Sequence, residues 1–193
     1  MKKLLFTFLF LTLGTAWGGA FEDGLAAAER KDYSTAIKLW RPLAEQGDAA
    51  MQDIMGAMYE EGKGVTQDYK EAVKWWKLAA EQGYASAQTS LGWMYDQGQG
   101  VPQDQKEAVK WWRLAAEQGN ATAQANLGFM YAKGIGVLQD YARAHMWFNL
   151  ASSAGDASAT ENRDLIAKKM TSQQIEKAQE MAKACQARNF KGC

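Results

Sequence analysis

Residues 62–92 read GKGVTQDYKEAVKWWKLAAEQGYASAQTSLG, and residues 98–128 read GQGVPQDQKEAVKWWRLAAEQGNATAQANLG. The two segments are identical at 23 of 31 positions and are offset by 36 residues. Two residue types recur at the same 36-residue spacing before, within and after these segments, and we call each such set of equivalent positions a column. One column is Asp32, Asp68, Asp104 and Asp140, and the other is Gly47, Gly83, Gly119 and Gly155. A fixed period of this length is typical of solenoids, in which each repeat packs on its neighbours.

Each period predicts two helices, A and B, that are joined by a glycine-containing loop. In helix A, apolar residues recur at the spacing i, i+4, i+7 and i+8, which predicts one buried face. In helix B, the buried columns are expected to start with Trp75, Trp76 and Leu78. Gly56 is the small residue that is expected to let helix B approach helix A closely. We therefore predict an all-α solenoid of helix-loop-helix repeats.

The first residues of the chain resemble a secretory signal peptide. Lys2 and Lys3 precede the apolar residues 4–13, and Gly18-Gly19-Ala20 supplies small residues before a cut at Phe21. An uncleaved anchor is the alternative, but the apolar stretch is shorter than a membrane span. We predict that the mature protein is periplasmic or secreted. The predicted organisation is a signal peptide (1–20) and a solenoid (21–193), with repeats at about 21–47, 48–83, 84–119, 120–155 and a degenerate cap, 156–193.

Charge and hydropathy argue against two classes of partner. The chain has 22 Lys and Arg and 22 Asp and Glu, and loss of Lys2 and Lys3 leaves 20 against 22, a net charge of −2. Such a chain lacks the basic field that attracts nucleic acid. No later stretch approaches the roughly 18 apolar residues of a membrane span. We expect no nucleic-acid partner and no stable membrane insertion.

The residues that could carry chemistry are few. Cys185 and Cys193 are the only cysteines, and an exported chain with two cysteines favours a disulfide between them over a metal pair or free thiols. His145, the only histidine, occupies a column that is otherwise apolar, so we expect it to be packed or half-exposed. No second histidine or serine motif supports a catalytic triad. We predict no enzyme activity, no cofactor and no metal site.

The pattern A-x-A-Q-x-x-L-G-x-M-Y-x-x-G-x-G-V-x-Q-D-Y-x-x-A-x-x-W-W-x-x-A-A-E-Q-G resembles the Sel-one-like repeat (SLR) family, a relative of the tetratricopeptide repeats. Residues 85–119 carry it, with neighbours on both sides, except that Gln105 stands where the pattern has Tyr. The resemblance implies a right-handed superhelix that binds other proteins, and secreted bacterial members resemble envelope regulators, assembly factors and host-contact proteins. We therefore expect a scaffold for another protein or a peptide. The alternative is a hydrolase that binds peptidoglycan or a β-lactam, because some cysteine-rich secreted relatives are linked to penicillin binding. This chain lacks their cysteines in each repeat.

Positions that vary between repeats predict where a partner binds. Several of them share the face of helix A opposite the repeated apolar face, and in the resembled family helix A lines the concave side. Trp93 and Phe129 occupy the same position in successive repeats on this variable face, and both are large and apolar. They either bind a partner or pack against the neighbouring repeat. The fifth unit has Arg163 and Asp164 in the Leu and Gly columns, which is typical of a polar terminal cap. The predicted groove comprises Asp53, Ala57, Thr89, Trp93, Asp96, Asn126, Phe129 and Lys133.

Overall fold

The computed structural model describes residues 19–193, and the predicted signal peptide lies outside the described residues except for its last two. Within this range all regular secondary structure is helical, which confirms the all-α, helix-loop-helix fold class. The helices are α1 (residues 19–29), α2 (Tyr33–Glu45), α3 (Ala49–Glu61), α4 (Tyr69–Glu81), α5 (Ala85–Gln97), α6 (Gln105–Ala116), α7 (Ala121–Lys133), α8 (Tyr141–Ser153), α9 (Ala157–Ala167) and α10 (Ser172–Ala187). The chain forms two compact units, one that ends at Ala79 and one that comprises Ala80–Cys193.

Helices α3, α7 and α9 begin at side-chain caps, and α3, α5 and α7 end at glycines. Asp48 accepts a hydrogen bond from the backbone N–H of Met51 at 3.0 Å, and Asn120 and Asp156 make the equivalent bond at the starts of α7 and α9. Such a bond satisfies an N–H that has no partner within the helix. At the other end of α3, Gly62 adopts a left-handed conformation with φ 67°, which ends the helix at low cost because glycine has no Cβ.

The glycine column of helix A provides the space for one aromatic ring of helix B. A Cβ added to Gly92 would lie 2.5 Å from Nε1 of Trp112, and one added to Gly128 would lie 2.6 Å from Cδ1 of Phe148. Gly56 faces Trp76 in the same way. These contacts confirm that the repeated glycine lets helix B approach helix A closely. Trp76, Trp112 and Phe148 are all buried as a result.

Two other columns of helix B differ from the prediction. Leu78 and Leu114 are each 47% exposed, and Trp75 and Trp111 are only partly buried. Successive residues of a helix point about 100° apart, so neighbours of the buried ring cannot all face helix A. In the last full repeat, Trp147 and Leu150 are buried together with Ala182 and Cys185 of α10. The prediction that these columns are core is therefore wrong except where α10 packs on α8.

A buried glutamine joins each A helix to the preceding B helix. The side-chain amides of Gln52, Gln88 and Gln124 are almost fully buried. Their Nε2 atoms donate to the carbonyl oxygens of Ala44, Ala80 and Ala116 at 3.0, 3.1 and 3.2 Å. Each carbonyl also accepts a hydrogen bond from the N–H of the glycine three residues later, at 3.0, 3.0 and 2.9 Å. The glutamine therefore adds a second bond to a carbonyl at the helix end, satisfies its own buried amide and links the two helices.

The glycine loops place backbone against backbone within each unit. A Cβ added to Gly64 would lie 2.4 Å from the carbonyl oxygen of Tyr33, the first residue of α2. One added to Gly136 would lie 2.5 Å from the carbonyl oxygen of Gln105, the first residue of α6. Both glycines also have positive φ, 74° and 68°, so two independent constraints favour glycine there.

The C-terminal segment is closed by a disulfide. Cys185 at the end of α10 is joined to Cys193, with a Cα–Cα distance of 5.6 Å, as the sequence predicts. The loop between them carries Phe190 with φ 65° and places its ring 3.2 Å from the position of a Cβ at Gly119. The disulfide therefore closes a loop that rests on the turn between α6 and α7.

Candidate functional site

The eight residues of the predicted groove all reach the surface to some extent. Trp93 and Phe129 are each 47% exposed, and Lys133 is exposed. Neither aromatic side chain is a core residue. The other five are partly buried, and they are Asp53 and Ala57 on α3, Thr89 and Asp96 on α5, and Asn126 on α7. Their joint role as a binding groove stays a prediction.

Phe129 and Lys133 line a cleft of about 380 Å³ that also involves α8 and α9, which we call the C-terminal groove. It is lined by Phe129, Ala132, Lys133, Gln139, Tyr141, Phe148, Asn162, Leu165, Ile166 and Lys169. Phe148 and Ile166 are buried, whereas Phe129 and Leu165 are 47% and 56% exposed. The groove thus has a buried apolar base and two large apolar side chains that are accessible to a ligand.

Two lysines of the C-terminal groove lie close to aromatic rings. Nζ of Lys133 is 5.8 Å from the ring centroid of Phe129, and Nζ of Lys169 is 5.8 Å from that of Tyr141. A cation within about 6 Å of a ring centroid is attracted to the ring face. Tyr141 is positioned as the first residue of α8, whose N-cap Asp140 accepts a hydrogen bond from the backbone N–H of Arg143. The attraction to these rings favours side-chain positions in which both ammonium groups lie beside the groove.

A second cleft occupies the equivalent place three periods earlier, and we call it the N-terminal groove. It has a volume of about 170 Å³ and is lined by Ala28, Tyr33, Trp40, Ile54, Ala57, Met58, Glu61 and Lys63. Tyr33 corresponds to Tyr141 and Glu61 to Lys169. Lys63 lies 5.5 Å from the ring centroid of Tyr33, but it also forms an ion pair with Glu61. A side-chain hydrogen bond from Lys63 to Glu61 is the main cause that raises the pKa of Lys63, and the charge of Glu61 adds to it. Its cation is therefore neutralised within the groove.

The predicted groove omitted Asn162, Leu165 and Lys169 because the fifth unit was predicted only as a cap, and it omitted Tyr141 because that residue lies on a B helix. A signal for two of them was present. Leu165 continues the column of Trp93 and Phe129, and Lys169 continues the column of Lys133. Extension of these columns by one period would have identified both.

The lining of the C-terminal groove combines apolar side chains with two lysines. Its ten described residues include no Asp, Glu, His, Ser or Cys. His145 is 3% exposed, its Nδ1 has no hydrogen-bond partner, and burial lowers its pKa, with Arg163 adding to the shift. It is therefore a buried neutral side chain. Across residues 19–193, no group of three His, Cys, Asp or Glu side chains is arranged to hold a metal ion.

In the described part of the chain, no helix combines the length and the apolar composition needed to cross a membrane.

Comparisons with known proteins place the repeat in a family. The Sel1 repeat model matches four consecutive segments, residues 15–48, 49–84, 85–120 and 121–156. One similar crystal structure is that of c5321, a protective antigen present in uropathogenic Escherichia coli strains that displays an SLR fold, with 38% identity over 81% of this chain and a TM-score of 0.76. Another is a Sel1 repeat protein from Oxalobacter formigenes, with 37% identity over 75% of this chain and a TM-score of 0.72.

The chain spans 33% of the length of the first of these structures and 59% of the second. No curated protein matches it.

Proposed function

Because this chain belongs to the Sel1 repeat family, we propose that it is a periplasmic or secreted scaffold that binds another protein or a peptide in envelope assembly, regulation or host contact. Sel1 repeat proteins generally act as scaffolds for protein–protein interaction and are typically not catalytic. A role in the envelope or at a host surface goes beyond that general activity and is part of the proposal.

The observation that carries the proposal is one column of exposed apolar side chains. Trp93, Phe129 and Leu165 occupy the same position on α5, α7 and α9, and they are 47%, 47% and 56% exposed. The next residue on each of these helices, Met94, Met130 or Ile166, is buried, so the exposure is not a general feature of the repeat. Large apolar groups that recur on one face of a folded protein mark a surface for a partner.

Four observations support an exported location. Residues 2–20 have the pattern of a signal peptide. The disulfide between Cys185 and Cys193 fits an oxidising compartment. Phe21, the first residue after the expected cut, still contributes to the fold, because its carbonyl oxygen accepts a hydrogen bond from Nε1 of Trp40 at 3.2 Å. The similar E. coli protein is a protective antigen, which agrees with a protein that leaves the cytoplasm.

The test is capture of a partner from envelope extract with the mature protein. Trp93→Ala with Phe129→Ala should abolish capture, because loss of one buried anchor costs about 2 kcal/mol or more, roughly a thirtyfold loss of affinity. The melting temperature should stay nearly unchanged, because both side chains are half exposed. Leu114→Ala is the matched control, since Leu114 is also 47% exposed but lies on a B helix.

Equal capture by wild type and the double variant would show that binding lies elsewhere. The purified protein should not turn over peptidoglycan fragments or a chromogenic β-lactam. Turnover that is lost on mutation of a defined acidic residue would favour the hydrolase alternative over the scaffold function.

A further inference from the structure

We propose that the C-terminal groove binds an acidic peptide segment, with an apolar side chain of the segment between Phe129 and Leu165 and its carboxylates against Lys133 and Lys169. This inference rests on the proposed scaffold function and specifies the chemistry of the partner.

The size and lining of the groove suit one anchored side chain. Its volume of about 380 Å³ lies within the range of roughly 300–1,000 Å³ that is typical of ligand sites. Phe148 and Ile166 form a buried apolar base, and Phe129 and Leu165 present exposed apolar surface beside it. An apolar side chain that enters this cleft therefore contacts apolar groups on more than one side.

The charge of the groove has no internal counterpart. Lys133 and Lys169 are held over Phe129 and Tyr141, and none of the ten lining residues is acidic. Two acidic residues that are adjacent in sequence to lining residues have other partners. Asp164 pairs with Arg163 at 2.9 Å, and Asp140 caps α8 and lies 3.6 Å from Arg143. Two ammonium groups beside an apolar cleft thus remain to be matched by carboxylates of a ligand.

The N-terminal groove provides an internal comparison on the same scaffold. Glu61 occupies the position of Lys169, and its ion pair with Lys63 neutralises the cation that lies over Tyr33. The repeat therefore tolerates either sign of charge at this position, so the fold does not require a lysine there. The cationic groove is a property of the last repeats, which supports an anionic ligand at this groove.

The experiment measures binding of a fluorescent peptide to the full mature protein by anisotropy. The probe is GEDLFDEG with both ends blocked, and the control peptide is GQNLFNQG, in which amides replace the carboxylates. One exposed ion pair changes affinity by about 1.4-fold to 5-fold. Charge reversal removes an attraction and adds a repulsion, so Lys169→Glu should weaken binding of the acidic peptide about fivefold. Lys133→Glu with Lys169→Glu should weaken it about twentyfold.

Lys168→Glu is the matched control, because it makes the same change in net charge at the adjacent exposed residue, which does not line the groove. It should leave affinity within about twofold. Leu165→Ala should weaken binding, whereas Leu114→Ala should not. Lys169→Gln, which keeps the length of the side chain without its charge, should give an intermediate affinity and the melting temperature of the wild type.

Equal binding of the two peptides to wild type, or equal effects of Lys168→Glu and Lys169→Glu, would overturn the inference. It would also be overturned if phosphatidylglycerol vesicles, and not the acidic peptide, bound in a manner that depends on Lys169. Capture of an envelope partner that is equal for wild type and the double lysine variant would overturn this inference alone. Absence of any captured partner with wild type would count against the scaffold function itself.

Discussion

Gly92→Ala should destabilise the protein because the added methyl group would overlap a buried indole. The Cβ would lie 2.5 Å from Nε1 and 2.6 Å from Cδ1 of Trp112, whereas packed heavy atoms lie about 3.5–4.0 Å apart. The ring therefore has to move by about 1 Å. Trp112 is only 2% exposed, and its Nε1 donates to the carbonyl oxygen of Thr89 at 3.1 Å, so the movement also disrupts a hydrogen bond.

The magnitude follows from three contributions. Overpacking of a core costs about 1–3 kcal/mol. A buried N–H that loses its partner costs about 1–3 kcal/mol. Alanine is better than glycine in a helix by about 1 kcal/mol, which offsets part of the loss. The free energy of unfolding should fall by about 3 kcal/mol, which corresponds to a decrease in Tm of about 6–12 °C.

The assay is urea denaturation, followed by far-UV circular dichroism, of wild type, Gly92→Ala, Trp112→Leu and the double variant. Without the indole, the methyl group has space, so Gly92→Ala should be neutral or stabilising by up to about 1 kcal/mol in the Trp112→Leu background. The reasoning is refuted if Gly92→Ala is equally destabilising in both backgrounds, because the ring contact would then not be the cause.

Three further results are expected. Cys185→Ala with Cys193→Ala should lower the free energy of unfolding by about 2.5 kcal/mol, because the short loop is no longer closed, and dithiothreitol should affect only the wild type. N-terminal sequencing of exported protein should begin at Phe21 or within a few residues, and retention of Met1 would contradict the signal peptide. The pKa of His145 is below its ordinary value of 6.5 because of burial, so the unfolded chain takes up a proton before the folded chain does. The free energy of unfolding should therefore fall as the pH decreases through 6.5, and His145→Val should remove this dependence, which urea titrations across pH would show.

The bounds of several helices could be predicted because local signals mark them. Asp48 and Gly62 delimit α3, and Thr171 with Gln174 forms the predicted capping box at the start of α10, with both hydrogen bonds present. The sequence does not reveal which side of helix B faces solvent, because a repeated apolar residue looks the same in both settings. Leu78 and Leu114 recur with the core residues and yet are half exposed.

The candidate groove was harder to predict than the fold. Phe129 and Lys133 lie on one helix, so their shared face follows from the helical period. Lys169 lies over Tyr141, which is 28 residues earlier in the chain, and this contact depends on how α8 and α9 pack. The equivalent ring of Tyr33 receives its lysine from a glycine loop instead, so no fixed spacing identifies the pair.

The close approach of Gly64 to the carbonyl of Tyr33, and of Gly136 to that of Gln105, has a consequence for how such chains change over evolutionary time. Successive repeats meet there through main-chain atoms, so the contact requires a glycine in the loop and no particular side chain on the helix that it touches. A 36-residue segment that is duplicated, deleted or exchanged at equivalent points therefore brings a compatible junction with it. Recombination can then transfer a groove of one charge into another array, so ligand preference and the number of repeats can be inherited separately.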